Sequence, residues 1–81
     1  MENNIENRIK NVMAAVFELT VDKINDNASP DTIESWDSLK HMNLIIALEE
    51  EFNIAIPDDE VGNMLTFGLV LLIVNEAISK R

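Results

Sequence analysis

Ser35-Trp36-Asp37-Ser38-Leu39 closes a long polar stretch and leads straight into Lys40-His41-Met42-Asn43-Leu44-Ile45-Ile46-Ala47-Leu48-Glu49-Glu50-Glu51-Phe52, the most regular helical pattern in the chain. Asp37 is a good N-cap, because its carboxylate can accept the free amides of a first helical turn. Ser38 is then the first helical residue, and the helix runs to about Phe52. Its apolar positions are too many for one stripe. Leu44, Ile45, Leu48 and Phe52 make a core face. Leu39, Met42 and Ile46 fall on a different side, at spacings of three and four, just below Ser38. Either they form an exposed ridge for a partner, or the helix is central and buried on two sides.

The flanking segments predict three more helices. Ile5, Ile9, Val12, Met13, Val16 and Phe17 share one face of a helix over residues 3 to 18. Residues 20 to 37 then form a long connection rich in turn and cap formers, a length that usually signals function. Val21 and Ile24 are expected to dock on the core. Trp36 packs over the start of the next helix or sits beside Ser38, where it would shape what is held there. Downstream, Pro57 suits the first turn of a short helix over 57 to 63, with Asp58, Asp59 and Glu60 at its positive end. Thr66 caps a last helix whose inner face is Phe67, Val70, Leu71, Val74, Ala77 and Ile78, closed by Lys80 and Arg81. Leu69 and Leu72 lie off that face, exposed unless the helix is rotated. No strand pattern or repeat appears. The expected fold is all-α: a small four-helix bundle of three longer helices and one short one, with a long loop between the first two, in one domain over 1–81.

The chain has 81 residues, of which 47% are hydrophobic, so a core can form. Fifteen acids against six bases give a net charge of −9. That sign opposes nucleic acid and anionic membrane surfaces, and points to partners with basic patches. There is no cysteine, hence no disulfide and no thiol nucleophile. Met1-Glu2-Asn3-Asn4 lacks the basic start of a signal peptide, and the longest apolar run, Leu69 to Val74, is too short to span a bilayer. A cytoplasmic location is expected.

Specific metal binding and catalysis fit poorly. Asp58-Asp59-Glu60-Val61-Gly62 has the wrong order for a calcium loop, and residues 26 to 37 contain no glycine. His41 is the single histidine. It lies three residues beyond Ser38 on a neighbouring helical face, which makes it an expected surface residue and not a base for the serine. The remaining feature is a serine at a helix N-terminus beside a long loop. That place suits a phosphorylated or phosphodiester-bearing hydroxyl. The plainer reading is that Ser38 only helps cap the helix.

Asp37-Ser38-Leu39 resembles the attachment motif of the acyl carrier proteins. The run from Ala47 through Phe52 and Pro57 to Glu60 is similar to their acidic end of helix two and entry to helix three. Thr66-Phe67-Gly68 resembles the start of their last helix. Leu19-Thr20-Val21-Asp22 and Ala28-Ser29 resemble their loop landmarks, so the resemblance covers nearly the whole chain. The chain departs from the family where Lys40 and Asn43 replace acidic residues and where Pro30 replaces an aromatic. It departs again where Trp36 precedes Asp37 without the usual nearby glycine.

The resemblance implies a non-enzymatic carrier whose Ser38 bears phosphopantetheine, transferred from coenzyme A by a magnesium-dependent phosphopantetheinyl transferase that reads Asp37 and Leu39. Acyl groups would ride on the arm as thioesters, with an apolar gap near Leu44 and Leu48 to shelter them. Leu39, Met42 and Ile46 would dock an acyl ligase, acyltransferase or ketoacyl synthase. Glu49, Glu50, Asp58 and Asp59 would steer it. Lys40 and Asn43 imply a specialised carrier for a dedicated lipid or secondary-metabolite pathway. The expected state is a monomer, with possible apolar contact through Leu69 and Leu72. The alternatives are an aminoacyl, D-alanyl or peptidyl carrier loaded by an adenylating ligase, and a helical interaction module with no prosthetic group.

Overall fold

A computed structural model describes residues 5–25 and 27–81. They form four helices: α1 (Ile5–Phe17), α2 (Ser38–Phe52), α3 (Asp58–Val61) and α4 (Phe67–Lys80), with a 3-10 turn at Val21–Lys23. No strand occurs among the described residues. The fold is the expected small all-α bundle. Residues 3 and 4 of the expected first helix lie outside the described residues.

The core is built from one stripe of each long helix. Ile9, Met13, Ala14 and Phe17 come from α1, Leu44, Ile45, Leu48 and Phe52 from α2, and Phe67, Val70, Ile73 and Val74 from α4. The predicted core face of α2 is the buried one. The α4 face is turned towards Ile73, so Leu71, Ala77 and Ile78 are only partly buried. Leu69 and Leu72 remain exposed, at 40% and 53%.

α1 ends because Glu18 adopts the left-handed conformation (φ 59°), which lets the Leu19 amide reach back to the Ala14 carbonyl at 2.9 Å. α2 ends in the same way at Asn53 (φ 55°), where Ile54 N–H donates to Glu49 O at 3.1 Å. Both are six-to-one closures of a helix end. Two arginines then complete the C-terminus of α2. Arg8 donates to Glu51 O at 2.8 Å and lies over the Phe52 ring, and Arg81 donates to Phe52 O. Cations are favoured at this negative end.

The long connection is held by short-range turns and by a bond to the start of α4. Asn25 Oδ1 accepts from Asn27 N, Ser29 O accepts from Thr32 N and Ile33 N, and Ala28 O accepts from Phe67 N. Ile24, Ala28, Ile33 and Trp36 are buried. Val21, expected to dock, is 42% exposed. The 3-10 turn directs Ile24 inward in its place. In the same turn the Asp22 carboxyl is held below its ordinary range, first by a hydrogen bond from the Thr20 side chain and then by its own backbone amide.

α3 is a single turn, shorter than the expected 57 to 63. Pro57 is its N-cap and not its first residue. The chain must leave the helix by Val61 to bring Met64 into the core, where that side chain is fully buried. Thr66 then caps α4 as expected, its hydroxyl accepting from Leu69 N at 3.1 Å.

Candidate functional site

Ser38 is the first residue of α2 and is exposed. Asp37 precedes it as an extended N-cap. One Asp37 carboxylate oxygen accepts from Lys40 N at 2.8 Å, and its carbonyl accepts from His41 N at 2.8 Å. This fixes the first turn without using the Ser38 hydroxyl.

The four serines of the chain differ in just this respect. Ser35 Oγ donates to Phe17 O at 3.1 Å, Ser79 Oγ donates to Glu76 O at 2.8 Å, and Ser29 Oγ accepts from Asp31 N at 3.2 Å. The Ser38 hydroxyl has no hydrogen-bond partner among the described residues. It can therefore take a substituent without losing an internal bond. The reading of Ser38 as no more than a capping group does not match this geometry, because Asp37 supplies the cap.

Trp36 is 4% exposed, and its ring lies 5.0 Å from Phe17 between centroids. The packing reading of Trp36 holds. Its indole N–H donates to His41 Nδ1 at 2.9 Å, and His41 Nε2 is 2.8 Å from Val61 O. An indole nitrogen can only donate, so Nδ1 is the acceptor and Nε2 carries the proton that it gives to Val61 O. His41 is thus half-buried and bonded on both sides, which corrects the expectation of a surface residue. Its lone pair is directed at Trp36 and is not available to Ser38, so this histidine is no base for the serine.

The ridge is present as predicted. Leu39 is 71% exposed, Met42 48% and Ile46 52%. The alternative of a helix buried on two sides is excluded. Lys40, the cation in an unusual place, is paired with Glu18 at 3.1 Å. Glu49 and Glu50 lie about 17 Å along the helix axis from Ser38, at 1.5 Å per residue. Glu50 is exposed, whereas the Glu49 carboxylate accepts from Ile56 N at 2.9 Å and so also holds the chain between α2 and α3. Asp58 and Asp59 are exposed in α3.

An open groove of about 510 Å³ adjoins the serine, lined by Pro30, Trp36, Ser38, His41, Met42 and Leu65 among others. Leu44 and Leu48 are fully packed in the core. No cluster of three or more histidine, cysteine or acidic residues that could hold a metal occurs among the described residues. Nor is any helix among them long and apolar enough to cross a membrane.

Sequence reasoning missed His41 and Gly62, both of which line the groove. Nothing in the local pattern marks His41, since its partners are a loop indole and a carbonyl twenty residues on.

No family model matches the chain. Two curated relatives do. The acyl carrier protein of Buchnera aphidicola subsp. Schizaphis graminum is 41% identical over 64 residues, covering 79% of this chain and 81% of that protein. The acyl carrier protein of Lactobacillus acidophilus is 37% identical over 67 residues, covering 83% and 84%. Among solved structures, the holo acyl carrier protein of Geobacter metallireducens superposes with a TM-score of 0.84 at 24% identity, covering 96% of this chain and 90% of that one. The hexanoyl carrier of the actinorhodin polyketide synthase of Streptomyces coelicolor gives 0.77 at 22% identity, covering 91% and 90%. These two show the likeness of fold.

Proposed function

The chain belongs to the acyl carrier protein family, and from that premise we propose that Ser38 is its point of phosphopantetheine attachment. The family carries this group covalently and uses it to hold acyl intermediates as thioesters. The observation that carries the assignment is the Ser38 hydroxyl: exposed, without a hydrogen-bond partner among the described residues, and presented at the start of a helix whose cap is supplied by its neighbour. The residues present fit the group. The hydroxyl is open to substitution, the α2 N-terminus favours a phosphodiester, and a groove of partly apolar lining lies alongside.

Each residue then has a role of its own. Asp37 holds the first turn, and with Leu39 offers the contact read by a phosphopantetheinyl transferase. Leu39, Met42 and Ile46 dock the enzymes that load or use the acyl group. Glu50, Asp58 and Asp59, with Glu49, steer basic surfaces towards them. The arm raises the effective concentration of the acyl group at successive active sites. The chain supplies the address and no catalysis.

The whole chain acts as one carrier domain in the cytoplasm and serves a dedicated pathway. Lys40 and Asn43 support that reading, because they remove negative charge from the ridge. The Glu18 partner of Lys40 makes this a neutralised patch and not a bare cation.

The test is the intact mass after incubation with coenzyme A, magnesium and a broad-specificity phosphopantetheinyl transferase. A gain of one phosphopantetheine is expected, and Ser38→Ala should show none. A folded parent that gains nothing with several transferases would overturn the proposal in favour of an interaction module.

A further inference from the structure

We infer that Met42 is a site of reversible oxidation, at which a peroxide converts the thioether to a sulfoxide and thereby weakens docking on the ridge beside Ser38. The inference rests on the proposed docking role of Leu39, Met42 and Ile46. It adds a modification site and a means of regulating that surface.

The sulfur atoms of the chain are unequally placed. There is no cysteine to react first with an oxidant. Met1 lies outside the described residues, and Met13 and Met64 are 0% exposed in the core. Met42 is 48% exposed. The oxidisable indole of Trp36 borders the same groove but is 4% exposed. A peroxide must touch the sulfur to react, so Met13 and Met64 meet it only when the fold opens, whereas Met42 meets it in the folded state. In the reaction a sulfur lone pair attacks one oxygen of hydrogen peroxide. The O–O bond breaks as the S–O bond forms, and the departing oxygen leaves as water with both peroxide protons. Sulfur gives up two electrons and the peroxide takes them.

The product is polar where the reactant was apolar. In the free protein, water satisfies the new sulfoxide oxygen. Met42 belongs neither to the core nor to the side chains packed against it, so the fold keeps its packing. A docked partner changes this. Leu39 and Ile46 flank Met42 one helical turn to either side, and Pro30 and Leu65 line the groove with it. None of these four side chains offers a hydrogen-bond donor. A partner surface shaped for an apolar ridge must therefore cover the oxygen unpaired or stand away from it. Affinity should fall about tenfold or more. Leu39 and Ile46 cannot respond to an oxidant, so Met42 is the residue that makes the ridge sensitive. Sulfoxide reductases restore the thioether, which makes the change reversible.

The experiment treats the full, folded chain with dilute hydrogen peroxide and follows each methionine by peptide mass, with Met1 read on its own peptide. Met42 should gain one oxygen at least about tenfold faster than Met13 and Met64. The circular dichroism melt should stay within about 4 °C of the untreated protein. Loading is then measured with coenzyme A, magnesium and a broad-specificity phosphopantetheinyl transferase. Its KM for the oxidised chain should rise about tenfold with kcat little changed, and should return after treatment with methionine sulfoxide reductases. Met42→Leu, compared with itself before and after peroxide, should show no change in KM, which separates Met42 from Met1. Oxidation of Met13 or Met64 as fast as Met42 would overturn the inference. So would a melt that collapses on oxidation, a KM that does not move in the oxidised parent, or one that moves equally in Met42→Leu. An untreated parent that accepts no arm would instead overturn the attachment at Ser38, and this inference with it.

Discussion

At the scale of single residues, the site depends on which polar atoms are already engaged. Ser29, Ser35 and Ser79 each use the hydroxyl in a bond within the chain, and among the described residues Ser38 has no such partner. Trp36 and His41 act as a pair. Removing the indole by Trp36→Ala should cost about 3 kcal/mol, from lost burial and the void left behind. For a domain of this size that lowers the melting temperature by more than about 10 °C. Trp36→Phe keeps most of the packing but strands the Nδ1 lone pair, and should cost about 1–2 kcal/mol. Thermal melts followed by circular dichroism separate the two, and equal losses would contradict the role given to the hydrogen bond. The exposed placement of Ser38 beside an apolar ridge was legible in the sequence because cap, serine and ridge are neighbours along one helix. The setting of His41 was not. Its bonding depends on Trp36 presenting its N–H and on Val61 arriving from α3, neither of which helical spacing encodes.

At the scale of elements, α2 is the best-defined piece. It starts at an aspartate cap and ends at an asparagine suited to the left-handed conformation, so both bounds could be read directly. Asp37→Ala should cost about 1 kcal/mol and fray the first turn. Glu18 does the work at the end of α1 that glycine does more easily. Glu18→Gly relieves the left-handed strain of a side-chain-bearing residue and loses one exposed ion pair with Lys40. The net effect should be a stabilisation of about 0.5 kcal/mol, seen as a melting temperature raised by a few degrees. A lower melting temperature would mean that the Lys40 pair outweighs the strain. α3 and the face of α4 were less legible. The length of α3 is set by the need to bury Met64, a tertiary demand. The apolar run Leu69 to Val74 offers several equivalent faces, and only packing into the common core selects the one with Ile73.

At the scale of the whole molecule, an acidic body with net charge −9 carries an apolar ridge next to Ser38 and a second exposed apolar pair, Leu69 and Leu72, on α4. Steering by the acids predicts that affinity for a basic-surfaced partner enzyme falls about tenfold or more between low and high salt. Glu50→Gln with Asp58→Asn should slow association and leave the fold intact. Glu49→Ala should lower stability, because the Glu49 carboxylate accepts from Ile56 N. Leu69→Glu with Leu72→Glu tests the second patch. If the pair mediates self-association or a partner contact, sedimentation or partner binding changes; a monomer with binding intact removes that role. The most direct test of the central claim is fragmentation of the enzymatically loaded protein into peptides, with the modified residue located by mass. The phosphopantetheine is predicted on Ser38 alone. A modification found on Ser29, Ser35 or Ser79, whose hydroxyls are engaged within the fold, would contradict the account.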